Sequence, residues 1–249
     1  MTDFLELREV NWGTVEDKVL MDISFSLSEG RSAVICGSPD SGKSVLLKVI
    51  GGMLPPDTGQ VFYRGREVYA GNEEDIKKVR REIAFVFHQG VHLANIILRE
   101  NLLLPVKYHY PDYKSRQFNQ EISYYLDYFN LGNILEHRPA EVPEIRRKLL
   151  NFIRAFIMKP RLILVDEPLF NLDLRSQKMV ITKLKEFRQQ GTSFLLATNS
   201  GDVMKAMADE LIVMSDGRIE KIINVRESGI PVRIGDLEFS DLVGVEDEI

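Results

Sequence analysis

Gly37-Ser38-Pro39-Asp40-Ser41-Gly42-Lys43-Ser44 decides how this chain is read. It fits the phosphate-loop pattern G-x-x-x-x-G-K-[ST] at every specified position. Its flanks supply the context the pattern needs. Ala33-Val34-Ile35-Cys36 reads as a buried strand entering the loop, and Val45-Leu46-Leu47-Lys48-Val49-Ile50 as a helix leaving it. Such a turn aims the backbone N–H groups of the Gly37 to Val45 stretch, Pro39 excepted, at one point, and the helix N-terminus adds partial positive charge there. Lys43 is placed to reach terminal phosphates, and the Ser44 hydroxyl to hold Mg²⁺.

Working outward, the next constellation is Leu162-Ile163-Leu164-Val165-Asp166-Glu167-Pro168. Four apolar residues make a buried strand that delivers Asp166 at its carboxyl end, where ligands of parallel sheets bind. Asp166 suits the Mg²⁺ shell, and Glu167 suits polarisation of an attacking water.

The rest of the pattern alternates strands with helices. Residues 4–10 and 19–27 read as strands, as do Gln60–Tyr63, Ile83–Phe87, Ser193–Ala197 and Glu210–Met214. Residues 98 to about 157 read as a helical block, with Ile122, Tyr125, Leu126 and Phe129 at helical spacing. A further helix is expected from Leu174 to Gln190, capped by Asp173 and stopped by Gly191. Continuous apolar strands interleaved with helices predict an α/β fold around a buried parallel sheet.

Composition narrows the function classes. Net charge is −5, which gives no basis for nucleic-acid binding. The single cysteine, Cys36, excludes an internal disulfide and reads as core. No stretch has the ~18 continuous apolar residues of a membrane span. The N-terminus lacks the basic-then-apolar plan of a signal peptide, so a cytoplasmic location is expected. From Asp236 onward the sequence carries six acids and no Lys or Arg, which reads as a solvated tail.

On the phosphate loop, on Ile163 to Pro168, on Asn171-Leu172-Asp173 in the place of a D-loop, and on element order, residues 4–223 resemble the ATP-binding cassettes of ABC transporters. The resemblance implies a P-loop NTPase fold: a RecA-like parallel core, an antiparallel β-subdomain and a helical subdomain at about 98–157. One domain would cover 1–223, and 224–249 would be an acidic C-terminal tail. It implies Mg·ATP as cofactor and transmembrane permease subunits as partners, on the inner face of the plasma (inner) membrane. Two cassettes would pair, as homodimer or heterodimer, with ATP between one phosphate loop and the other's Leu-Ser-Gly-Gly-Gln signature. Gly51-Gly52-Met53 and Glu100-Asn101-Leu102-Leu103-Leu104-Pro105 further resemble the bacterial phospholipid-trafficking (Mla/Mce) cassettes.

Several family positions are altered. The signature falls at Val142-Pro143-Glu144-Ile145-Arg146, without its serine or glycines. Glu144 would set a carboxylate near the partner's terminal phosphate, and Pro143 removes an amide donor. The switch histidine is replaced by Asn199, which can hydrogen-bond a phosphate or a water but cannot carry a proton. The Q-loop glutamine, a metal contact in the resemblance, falls at His88 or, one residue later, at Gln89. The adenine-stacking aromatic falls at Thr14, with Trp12 two residues earlier as adenine contact or core. Leu93, Ile96, Ile97 and Leu98 are expected in a groove for a membrane-subunit helix or in the core. Three roles follow: transporter ATPase subunit, a degenerate or regulatory cassette that hydrolyses slowly or only with a second cassette, and a soluble repair or translation factor.

Overall fold

In the computed structural model, which describes residues 4–14, 18–90, 92–110, 112 and 115–225, strand β1 (Leu5–Gly13) pairs antiparallel with β2 (Lys18–Leu27). The buried strand β3 (Ser32–Gly37) then enters the glycine-rich loop, and α1 (Lys43–Ile50) leaves it. β4 (Thr58–Tyr63) joins the other edge of β1 and pairs with the short β5 (Arg66–Glu67). These strands form an antiparallel sheet of order β2-β1-β4-β5.

α2 (Glu73–Glu82) leads into β6 (Ile83–Val86). The helical block follows: α3 (Leu98–His109), α4 (Ser115–Tyr128) and α5 (Glu144–Phe156). The chain returns through β7 (Leu162–Asp166), α6 (Leu174–Gln189), β8 (Ser193–Ala197), α7 (Gly201–Met207), β9 (Glu210–Ser215) and β10 (Arg218–Asn224). The second sheet has order β10-β9-β3-β8-β7-β6. It is parallel except for β10, which closes one edge antiparallel to β9.

Side-chain alternation explains why both faces of this sheet are covered. Val34 and Cys36, Ile163 and Val165, and Phe194 and Leu196 enter one core with the helical block. Ala33 and Ile35, Leu162 and Leu164, and Leu195 and Ala197 enter a second core shared with α1 and the antiparallel sheet. α1 lies against β2, β3, β7 and β8, so the loop ahead of it is fixed from both sheets. Cys36 is packed inside, and burial pushes its thiol up to about 11, as a core group rather than a nucleophile requires.

The helical block is stapled by Asn101. Its Nδ2 donates to the carbonyls of Leu93, Ile96 and Ile97 at 3.0, 3.3 and 3.2 Å, and its Oδ1 accepts from Leu93 N at 2.7 Å. Leu98, expected at a groove or in the core, is wholly buried in the core, whereas Leu93 is exposed. Among the described residues no helix is long and apolar enough to cross a membrane. β10 carries the regular structure to Asn224, and the acidic stretch from Asp236 lies outside the described residues.

Candidate functional site

Three neighbouring parallel strands end at one place. In register, Ile35 of β3 lies opposite Ala197 of β8, which lies opposite Asp166 of β7. Gly37, Asp166 and Asn199, far apart in sequence, are therefore brought together at the carboxyl edge of the sheet. Two glycines hold the loop's shape. A Cβ on Gly37 would lie 2.0 Å from the Met214 carbonyl oxygen, and one on Gly42 (φ +93) would lie 2.6 Å from that of Val19. Gly42 starts α1 without a side-chain cap and with no acid in the first turn, which leaves that helix N-terminus open to an anion.

The Lys43 ammonium is turned into the loop. It donates to the carbonyls of Gly37 and Ser38 at 2.9 and 2.6 Å and to Ser41 Oγ at 3.1 Å. Burial lowers its pKa, against the attraction of Glu167 and Asp166. Ser44 Oγ donates to Asp166 Oδ1 at 3.0 Å, so α1 and β7 put a hydroxyl and a carboxylate oxygen side by side. Hard oxygen donors of this kind fit Mg²⁺. Among the described residues no group of three or more His, Cys, Asp or Glu could hold a metal alone. A Mg²⁺ shared with phosphate oxygens and water needs only one or two protein ligands.

Glu167 is held at three points. Its N–H donates to the Ala197 carbonyl at 2.9 Å, and its Oε2 accepts from Thr198 Oγ1 at 2.8 Å. Its carbonyl accepts from Lys148 Nζ at 2.8 Å. The hold is needed because Glu167 is left-handed, with φ 46°, a conformation costing a non-glycine residue about 1 kcal/mol. Sequence reasoning missed Lys148. It is 3% exposed on α5, also donates to the Phe170 carbonyl at 2.7 Å, and is pulled down to about 8 by burial. A lysine on the buried stripe of an amphipathic helix was the available signal.

The altered positions make other contacts. Val142 is buried, while Pro143 to Arg146 are exposed where α5 begins. Glu144 Oε1 accepts from Asn171 Nδ2 at 3.4 Å. The His88 ring lies against Phe170, centroids 4.3 Å apart, and Gln89 beyond it is exposed. Ser38 is half-buried, Ser41 buried, and Pro39 and Asp40 form the exposed tip of the loop; Val45 is half-buried against the second core. Trp12 pairs with Leu20 and packs partly on that same core, and Thr14 is exposed just past β1. Asn199 accepts from Gly37 N at 3.0 Å and donates from Nδ2 to Gly37 O at 2.9 Å.

A family model described as ABC transporter matches residues 20–170. Among solved structures, the ATP-binding cassette MJ0796, dimeric in a post-hydrolysis state with ADP and Pi, superimposes with TM-score 0.82 at 23% identity, covering 89% of this chain and 99% of that one. A second MJ0796 structure, described as a dimeric bacterial ABC transporter cassette, has the same TM-score, identity and coverage. The ATP-binding subunit of an ABC transporter gives a TM-score of 0.79 at 23% identity, covering 89% and 90% of the two chains.

Proposed function

Since this chain belongs to the ABC transporter family, we propose that it is the ATP-binding subunit of a membrane transporter, coupling Mg·ATP binding and hydrolysis to transport. The observation that carries the reading is the convergence of Lys43, Ser44 and Asp166 at the open N-terminus of α1. In this reading Gly37 to Val45 hold the phosphates, and Lys43 neutralises the terminal ones. Ser44 and Asp166 hold Mg²⁺, with Gln89 as a further oxygen ligand from the Q-loop, and His88 orients that loop through Phe170. Mg²⁺ bound there supplies charge neutralisation on the phosphate oxygens. Glu167 is the general base for water, and Trp12 or Thr14 meets the adenine. The subunit would sit on the inner face of the membrane, docked on permease subunits.

Glu144 favours a second reading on the same fold: a cassette that binds ATP but hydrolyses it slowly as a homodimer, or only in a heterodimer with a cassette whose signature is intact. A carboxylate at the start of α5 opposes the phosphate of a facing site, since like charges repel.

Phosphate release from the purified chain, alone and with its complex members, tests both readings. Lys43→Ala is expected to weaken Mg·nucleotide binding by about 100-fold, since a charge-assisted contact is lost. Glu167→Gln is expected to keep binding and lose release. Absence of Mg·nucleotide binding by the unsubstituted protein overturns both readings. Rapid turnover by the lone chain overturns the second.

A further inference from the structure

We propose that Asn199 acts on the phosphate loop and not on the terminal phosphate: it is a positioning residue that holds the peptide of Gly37. The proposal rests on the nucleotide-binding reading above. β3 and β8 run in parallel register, with Ile35 opposite Ala197. Two residues further on, Gly37 stands opposite Asn199, past the end of β8. There the side-chain amide continues the ladder that the backbone has left. Gly37 N–H donates to Oδ1 at 3.0 Å, and Nδ2 donates to Gly37 O at 2.9 Å. An amide has one donor face and one acceptor face, so only this orientation satisfies both groups.

The position of Gly37 gives the contact its consequence. The other edge of Gly37 pairs with β9 at Met214, and the Met214 carbonyl leaves no room for a Cβ. Asn199 therefore clamps the open side of a residue whose opposite side is already fixed. The Gly37 carbonyl is also shared with the Lys43 ammonium at 2.9 Å. Lys43 is the group that must turn outward to serve a phosphate. Asn199 keeps the Gly37 carbonyl paired when it does, so the loop keeps its shape.

A residue that shapes the loop affects diphosphate and triphosphate alike, whereas one that touches the terminal phosphate affects the triphosphate alone. The test is a calorimetric titration of the full chain with Mg·ADP and with Mg·ATP, comparing the unsubstituted protein with Asn199→Leu. Leucine keeps the branched shape and removes both hydrogen bonds. The expected result is a loss of about tenfold in affinity for both nucleotides, with their ratio unchanged. Weakening of ATP alone, or of neither, overturns the proposal. Asn199 is exposed, so the fold is expected to tolerate the change; Asn199→Ala, judged by the same ratio, replaces it if Leu does not fold. An unsubstituted protein that binds neither nucleotide overturns the nucleotide reading itself, and the proposal with it. If it binds both and Asn199→Leu matches it, the proposal alone fails.

Discussion

α1 and α5 both begin beside the candidate site, and their N-termini are chemically opposite. α1 starts on Gly42 with Lys43 and Ser44 in its first turn and no acid there. α5 starts on Pro143 with Glu144 in its first turn, and Glu144 accepts a hydrogen bond from Asn171. Every helix start offers unpaired N–H groups and partial positive charge. In α1 that charge is left for an incoming anion; in α5 the chain's own carboxylate meets it. A helix N-terminus is thus an anion site only where the sequence leaves it open. The helical backbone common to α1 and α5 does not by itself make their N-termini alike.

The contrast is not a separation, because α5 also supports the turn after β7, on the α1 side of the candidate site, through Lys148. Its Nζ is the donor to the Glu167 and Phe170 carbonyls at 2.8 and 2.7 Å. Lys148→Met keeps the length and apolar stem but takes this donor from both carbonyls; Glu167 O keeps the Phe170 N–H at 3.4 Å, and Phe170 O loses the lysine. An unsatisfied carbonyl costs about 1–3 kcal/mol and a weakened one less, and relief from burying a charge returns part of that. We expect a net loss of about 1–3 kcal/mol in urea unfolding, with the slope unchanged. A midpoint equal to that of the unsubstituted protein would show that α5 does not support the Glu167 turn.

Making the second terminus resemble the first is the next test. Pro143→Ser with Glu144→Gly restores an amide donor and a capping hydroxyl and removes the carboxylate. If α5 faces a phosphate across a dimer, phosphate release should rise by about tenfold, part of the ~10²–10³-fold that one well-aimed donor contributes elsewhere. An unchanged rate would mean that this face meets no phosphate in the assembly assayed.

The half that was legible in the sequence is the half whose signals are local. Gly37 to Ser44 and Leu162 to Glu167 announce themselves by spacing and by apolar runs, and β3 and β7 lie where those runs predict. Asp173, read as a cap, does accept from Ser176 N at 2.9 Å. α2 was missed because Val79 is its one buried residue, so it has no apolar stripe to read. Its signals were polar: the Asn72 cap, acids in the first turn and arginines in the last. β10 was missed as a mostly exposed edge strand, and α7 as a helix of 7 residues. The buried stripe of α5 marks Lys148 as inside, but the partners of Lys148 and Asn199 were not legible. They depend on α5 meeting the turn after β7, and on the exit of β8 lying beside β3.

His92 provides the smallest and most local lever on the α5 side. It is half-buried beside Arg147 and Arg154 of α5, and burial, then those two cations, lower its pKa to about 4. In the unfolded chain the imidazole takes its proton near pH ~6.5. Between those values the unfolded state binds more protons than the folded one, so stability falls as pH falls. The contribution is fully present above pH ~6.5 and is lost as pH drops toward the folded value of about 4. One such proton changes stability by at most about 1.4 kcal/mol per pH unit, and partial exposure of the ring reduces the total to about 1–2 kcal/mol. Carboxylates add their own acid sensitivity, so the measurement is a difference. His92→Gln, unfolded in urea at about pH 7 and about pH 5, should lose less stability between the two than the unsubstituted protein does. Equal losses would mean that burial and the arginines of α5 do not hold His92 neutral.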